Sequence, residues 1–184
     1  MTNCRRLSFP STLTILAVGY LMISPANGVA SGSIGDSVEI SALLSDAKSE
    51  ALELRDDADH MQSFTRSNLS WQSYAGTITE IKNHVNKAGE LLAKLTGVRE
   101  TGSSWQQQAI GQITPVLKEL AANTEATIEY LKENRTFLHS TQLQDYCRVN
   151  YELARDLTSL VTDFIDYGET KAKFEELQEK VEAR

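Results

Sequence analysis

Cysteine and proline are almost missing from this 184-residue chain, and each scarcity excludes something. There are two cysteines, Cys4 and Cys147. Cys4 lies in a segment expected to be removed, so Cys147 is left alone and no internal disulfide can form. The fold must then be held by its core. Cys147 falls on an apolar helix face and is expected to be a buried, inert thiol rather than an intermolecular link, as free cysteines usually are. Of the three prolines, Pro10 and Pro25 lie in the N-terminal segment and only Pro115 lies beyond it. No segment alternates at period two with β-branched residues, so no half-buried sheet is expected.

Chemistry-bearing motifs are also absent. The chain has no C-x-x-C-H for haem attachment, no G-x-S-x-G elbow and no phosphate-cradling glycine motif. Basic residues are outnumbered 18 to 25, for a formal charge of −7. That sign disfavours nucleic acid and anionic lipid as partners.

The first thirty residues read as a secretory signal peptide. Arg5 and Arg6 form a basic start, Leu13 to Ile23 is an uncharged apolar run, and Ser24 to Ala30 is a small-residue exit. The run is too short for a comfortable span of ~20 residues. Cleavage is expected after Ala30, with a cut after Gly28 or a retained anchor as alternatives. A lipoprotein signal is not expected, because Cys4 precedes the apolar run. The arginine pair weakly suggests a twin-arginine signal. The mature chain, residues 31–184, is one domain's worth of sequence. Losing Arg5 and Arg6 takes its charge from −7 to −9. The expected location is periplasmic or extracellular, with no membrane contact after cleavage.

What the chain does have is apolar residues at helical spacing. Trp71, Tyr74, Ile78, Ile81, Val85, Ala88, Leu92 and Leu95 alternate gaps of three and four. That is a seam at coiled-coil spacing on a helix on the order of 40 Å long. Such a seam needs partners, and three other segments supply them. Ile40, Leu44, Ala47, Ala51, Leu54, Ala58 and Met61 form one, with small alanines for close approach. Ile110, Ile113, Leu117, Leu120, Thr124, Ile128, Leu131 and Leu138 form another. The last segment carries two stripes: Tyr146, Asn150, Leu153, Leu157, Leu160, Phe164 and Tyr167 beside Cys147, Ala154, Val161 and Gly168. Two stripes suit a helix touching two neighbours.

The fold class is therefore all-α, an antiparallel up-down-up-down four-helix bundle with helices at about 36–66, 70–96, 104–138 and 141–182. Asp36 or Ser37 caps the first helix. Ser104 with Gln107, and Thr141 with Gln144, have capping-box spacing. Gly97 is expected in the left-handed C′ position of the second helix, with Val98 folding back on Leu92. Pro115 should sit in a continuous, kinked helix, since the apolar spacing runs through it. Gly168 should bend or fray the fourth helix before a charged tail, along which Phe174, Leu177 and Val181 keep helical spacing.

Metal ligands are not expected. Asp57 and His60 approach the Glu-x-x-His spacing of carboxylate-bridged bundles only once. Glu80 and His84 read as an exposed i,i+4 pair. A haem held by Met61 and His139 is not expected either, since Met61 belongs to a seam and His139 to a turn. Asn123, Thr124, Thr127 and Asn150 are polar residues at seam positions. They are expected to form a hydrogen-bonded core layer that fixes register, as a seam asparagine does in coiled coils. The alternative is a small-molecule pocket near Tyr130 or Tyr151. Asn68-Leu69-Ser70 and Asn134-Arg135-Thr136 match the N-glycosylation sequon. No enzyme and no cofactor are expected. The expected function is protein–protein contact, with a second copy as one candidate partner. The alternative is a bundle holding a metal ion or small ligand in its core.

Overall fold

The computed structural model describes residues 35–67 and 69–183. The expected signal peptide and Asn68 of the first sequon lie outside the described residues. Four long helices pack around one core: α1 (Val38–Phe64), α2 (Trp71–Gly97), α3 (Ser104–Glu133) and α4 (Thr141–Glu182). A single 3₁₀ turn, Arg99–Thr101, joins α2 to α3. No strand occurs among the described residues. Neighbours follow the ring α1–α2–α3–α4–α1, so each helix is bounded by two others.

Each helix buries the stripe its spacing marks. All seven seam residues of α1 are buried, with Phe64 closing the far end. Tyr74, Ile78, Ile81, Val85, Ala88 and Leu95 are buried on α2, while Trp71 and Leu92 are half-buried at its edge. On α4 the buried set cuts across the two stripes: Asn150 and Leu157 of the first join Cys147, Ala154 and Val161 of the second, whereas Tyr146, Leu153, Leu160 and Phe164 are half-buried and Tyr167, expected on the seam, is exposed.

The helix ends depart from the spacing argument in instructive ways. Ser37 caps α1, its Oγ accepting from the Ile40 amide at 3.4 Å. The cap of α3 is Ser103 rather than Ser104, in a capping box with Gln106 rather than Gln107. The cap of α4 is Ser140 rather than Thr141, its Oγ accepting from the Leu143 amide at 3.1 Å. At α3 the adjacent serines each have a glutamine three residues on, whereas at α4 only Thr141 does, since Leu143 stands three residues after Ser140. Gln106 and Ser140 are the buried members, and burial decides.

Gly97 does not take the left-handed position. It is the last residue of α2, and the Val98 amide continues the ladder to Lys94 O at 3.2 Å. α3 ends at Glu133, five residues short of the expected end. Asn134 is its C-cap: the backbone N–H makes the last ladder bond to Tyr130 O at 2.9 Å, and the side-chain Nδ2 donates to the same oxygen at 2.9 Å. Leu138 still reaches the core from the turn. α3 runs unbroken through Pro115. Pro115 and Gly111 are both exposed, so the carbonyl released from the ladder is left to solvent.

One internal group breaks the pattern of satisfied polarity. Tyr74 is fully buried on α2, and its hydroxyl is the buried side-chain polar atom among the described residues with no hydrogen-bond partner. Burial pushes it up to about 12. Its ring packs edge-on to Phe64 at 5.3 Å. Tyr74→Phe keeps that contact and removes an uncompensated hydroxyl, so it should stabilise the bundle by about 1 kcal/mol. Reversible denaturant unfolding checks this.

Candidate functional site

Three places gather polar or exposed apolar groups. The first is the polar layer between α3 and α4. Thr124, Thr127 and Asn150 are buried, and Asn123 is half-buried beside them. Thr124 Oγ1 donates to Asn150 Oδ1 at 3.1 Å, and Asn150 Nδ2 donates to Thr127 Oγ1 at 3.0 Å. Thr127 Oγ1 donates to Asn123 O at 2.6 Å, and Asn123 Nδ2 donates to Tyr146 O at 3.0 Å. These groups answer one another, so a ligand entering here would have to break existing bonds. Such a chain of donors and acceptors suits only one axial setting of α3 on α4. Tyr130 lies outside it, donating to Ser140 Oγ at 2.6 Å.

The histidine cluster differs from the expected surface pair. His84 does not pair along its own helix with Glu80. It turns toward α1, where Nδ1 lies 2.8 Å from Glu50 Oε2 and Nε2 lies 3.6 Å from Asp57 Oδ2. Lys87 also reaches Glu50, at 3.6 Å. The ring therefore bridges two turns of α1. Spacing within one helix cannot reveal such a contact. Burial raises the Asp57 carboxyl above its ordinary value, with Glu80 and Glu53 adding and His84 and His60 opposing. Among the described residues no group of three or more His, Cys, Asp or Glu side chains could hold a metal ion. His60 stacks edge-on to Phe64 at 4.7 Å, and His139 stands in the turn before α4.

Cys147 is fully buried, and burial pushes its thiol up to about 12. A neutral, enclosed thiol is a poor nucleophile. Native protein should therefore show no labelling of Cys147 by a thiol reagent over hours. Unfolding in denaturant should expose it fully, as a mass shift would record.

The third place is where the starts of α1 and α3 meet the last third of α4. Gln106, fully buried, presents its side-chain amide to the backbone of Ser37. Ser37 N donates to Oε1 at 2.8 Å, and Nε2 donates to Ser37 O at 2.8 Å and to Ser41 Oγ at 3.0 Å. Oε1 also accepts from Ser103 N at 3.1 Å. One residue away, Trp105 Nε1 donates to Asp36 Oδ1 at 2.8 Å, and Lys171 Nζ donates to Asp36 Oδ2 at 3.2 Å. The Trp105 ring lies over Gly168, where an added Cβ would meet it at 2.7 Å. That close approach is what the glycine permits. It does not fray α4, which continues helical to Glu182.

Burial pulls the Asp36 carboxyl upward, but hydrogen bonds from Ser103, Trp105 and Lys171 together hold it below its ordinary 3.8. Its folded value is depressed, so its contribution is present above about 3.8 and is lost as pH falls through the folded value. Asp36→Ala should cost about 1 kcal/mol at pH 7, modest because both partners keep access to solvent. That difference should shrink below pH 3.8, which paired thermal melts at pH 7 and pH 2.5 would record.

Beyond this junction α4 has no neighbour among the described residues. It is 42 residues long, against 27, 27 and 30 for the others. From Ala172 onward every described residue is exposed. Lys173–Glu182 projects by about 15 Å. Phe174, Leu177 and Val181 stand on it 67%, 60% and 74% exposed. Phe174 and Val181 belong to a series. Tyr146, Leu153, Leu160, Tyr167, Phe174 and Val181 recur every seven residues. Further back the series faces α3, with Tyr146 meeting Tyr130 at 5.7 Å and Tyr167 meeting Trp105 at 5.9 Å. Leu160, Phe164 and Tyr167 share a groove of about 540 Å³ with Trp105, Gln108 and Gln112. Past Trp105 the stripe goes on and α3 does not. The spacing of these residues was visible in the sequence. Their lack of cover was not.

No family model matches this chain, and neither a curated protein nor a solved structure matches it.

Proposed function

We propose that this protein is a non-enzymatic helical bundle that works by protein–protein contact, and that the α4 overhang is its contact surface. The observation that carries this reading is the exposed stripe of Phe174, Leu177 and Val181, of which Phe174 and Val181 continue the half-buried series of α4 that faces α3. Scattered single hydrophobics on a surface need no explanation, but an aligned set on a projecting helix does. A small-ligand role in the polar layer has less support, because the donors and acceptors of Asn123, Thr124, Thr127 and Asn150 take up one another.

The helices are read as running up-down-up-down, each antiparallel to its ring neighbours. Short connections support this, as does the meeting of Asp36, Trp105 and Lys171 from the starts of α1 and α3 and the far part of α4. The protein is read as exported through residues 1–30, with action in the periplasm or outside the cell. No helix among the described residues is long and apolar enough to cross a membrane.

The test places a photo-crosslinking amino acid at position 177 of the full chain, made in its own host. Irradiation should give a covalent adduct with a polypeptide. The same probe at exposed Lys118, on α3, should give none. Equal yields at both positions would sink the reading.

A further inference from the structure

The groove between α3 and α4 combines an aromatic corner with one unanswered charge. It has a volume of about 540 Å³ and opens beside the start of α3. Its walls follow from helical spacing. Leu160, Phe164 and Tyr167 succeed one another at four and three on α4, so they share a face. Trp105, in the first turn of α3, comes against them. The Trp105 and Tyr167 ring centroids lie 5.9 Å apart with their planes at 65°, so the two rings form a corner rather than a stack.

The Trp105 wall is already fixed. Its Nε1 donates to Asp36 Oδ1 at 2.8 Å, and its six-membered ring rests over Gly168. A side chain held on two sides has little freedom left to lose when something enters beside it.

Asp163 lines the same groove and is exposed on α4 between Leu160 and Phe164. Among the described residues it has no hydrogen bond and no ion pair. The rest of the lining, Ser104, Gln108 and Gln112, is neutral, and neither lysine nor arginine lines the groove. Aromatic faces carry negative potential, so the rings and the carboxylate present the same sign to an incoming group.

We propose that this groove binds a small organic cation, an alkylammonium with its charge beside Asp163 and its carbon groups against Trp105, Phe164 and Tyr167. An anion meets nothing of opposite charge there. A metal ion fits less well, because it asks for several oxygen ligands and a single carboxylate is present. A quaternary ammonium spreads its charge over methyl groups that can pack on the rings, and so uses both features at once. The inference goes beyond the contact reading and does not rest on it, since these residues lie on the part of α4 that α3 accompanies. The groove is open to solvent, so binding should be weak, with a Kd on the order of millimolar.

The chain has two tryptophans, which supply a probe and its internal reference. Trp105 lines the groove, whereas Trp71 donates to Leu131 O near the opposite end of α3. The protein as isolated from its host, labelled with ¹⁵N, is titrated with choline while sodium chloride holds the ionic strength constant. The indole N–H signal of Trp105 should shift saturably and that of Trp71 should stay in place. The alcohol 3,3-dimethylbutan-1-ol has the same shape with carbon in place of the ammonium nitrogen. It should bind at least about fivefold more weakly. Asp163→Asn should weaken choline binding about threefold or more, with Tm unchanged because the side chain is exposed. Asp163→Glu keeps the charge and should retain binding.

No saturable shift of Trp105 up to about 100 mM choline overturns the inference. Equal binding of the neutral alcohol does so as well, because it removes the role of charge. So does equal movement of both indole signals, which would mean a general solvent effect. Unchanged choline affinity in Asp163→Asn removes the carboxylate from the site and overturns the assignment. None of these outcomes alters the photo-adduct expected at position 177, so the two readings fail separately.

Discussion

Ile81→Asp should leave no cooperatively folded protein at 25 °C. Ile81 is fully buried midway along the α2 seam. Deleting its side chain alone would cost about 2–5 kcal/mol through lost burial and the cavity left behind. Aspartate adds the expense of a carboxylate with no partner among Ile78, Val85 and the facing seams, another several kcal/mol even if it takes up a proton. Together these approach or exceed the ~5–15 kcal/mol that holds a typical domain folded. Far-UV circular dichroism should show much reduced helix and no thermal transition. A variant that still melted cooperatively above 45 °C would mean that α2 does not supply the core seam.

The second large effect belongs to Gln106→Ala. Its amide is the only side chain described here that answers both polar groups of another residue's backbone, pairing with Ser37 N and Ser37 O at 2.8 Å each. Ser41 Oγ and Ser103 N are held by the same amide. Ser37 O keeps the Ser41 amide at 3.0 Å and Ser41 is exposed, so alanine leaves Ser37 N and the buried Ser103 N without this partner. At about 1 kcal/mol per unanswered group, the loss should be about 2 kcal/mol. For a chain of this size that lowers Tm by roughly 4–8 °C. The α3 capping box loses its Gln as well, so the start of α3 should show faster amide exchange than its middle. Gln106→Glu is a sharper control, because it keeps the acceptor and replaces the donor to Ser37 O with a carboxylate oxygen. It should be destabilising at pH 7 and partly restored at low pH, where a protonated carboxyl donates again.

These two residues mark how far a sequence can be read. Ile81 was legible because it repeats with its neighbours at the spacing of one helix face, and that spacing is local. Gln106 was not. It sits one position from Gln107, with the same residue type and the same distance to a hydroxyl cap. Only the approach of α1 makes one of the two amides indispensable. His84 shows the same limit. Spacing pairs it with Glu80, whereas packing hands it Glu50 and Asp57 from another helix. Gly168 reads as a helix breaker by propensity, yet its role is to admit the Trp105 ring.

The polar layer lies between these cases. Seam position was enough to bring Asn123, Thr124, Thr127 and Asn150 to one level. Which donor meets which acceptor depends on the axial setting of α3 against α4. The end of α3 at Glu133 was missed because the apolar spacing continues to Leu138 through a turn. Burial alone does not require a helix.

The sequence by itself determined the helical class, the number of seams, and most of the apolar residues that enter the core. Each follows from the 3.6-residue period, a property of one chain segment and its contact with water. Only the tertiary structure decided which cap is used, where Gln106 and Asp36 fasten the bundle, and that α4 outruns its neighbours. Those outcomes depend on where another helix begins and ends, and no periodicity within a single helix carries that information.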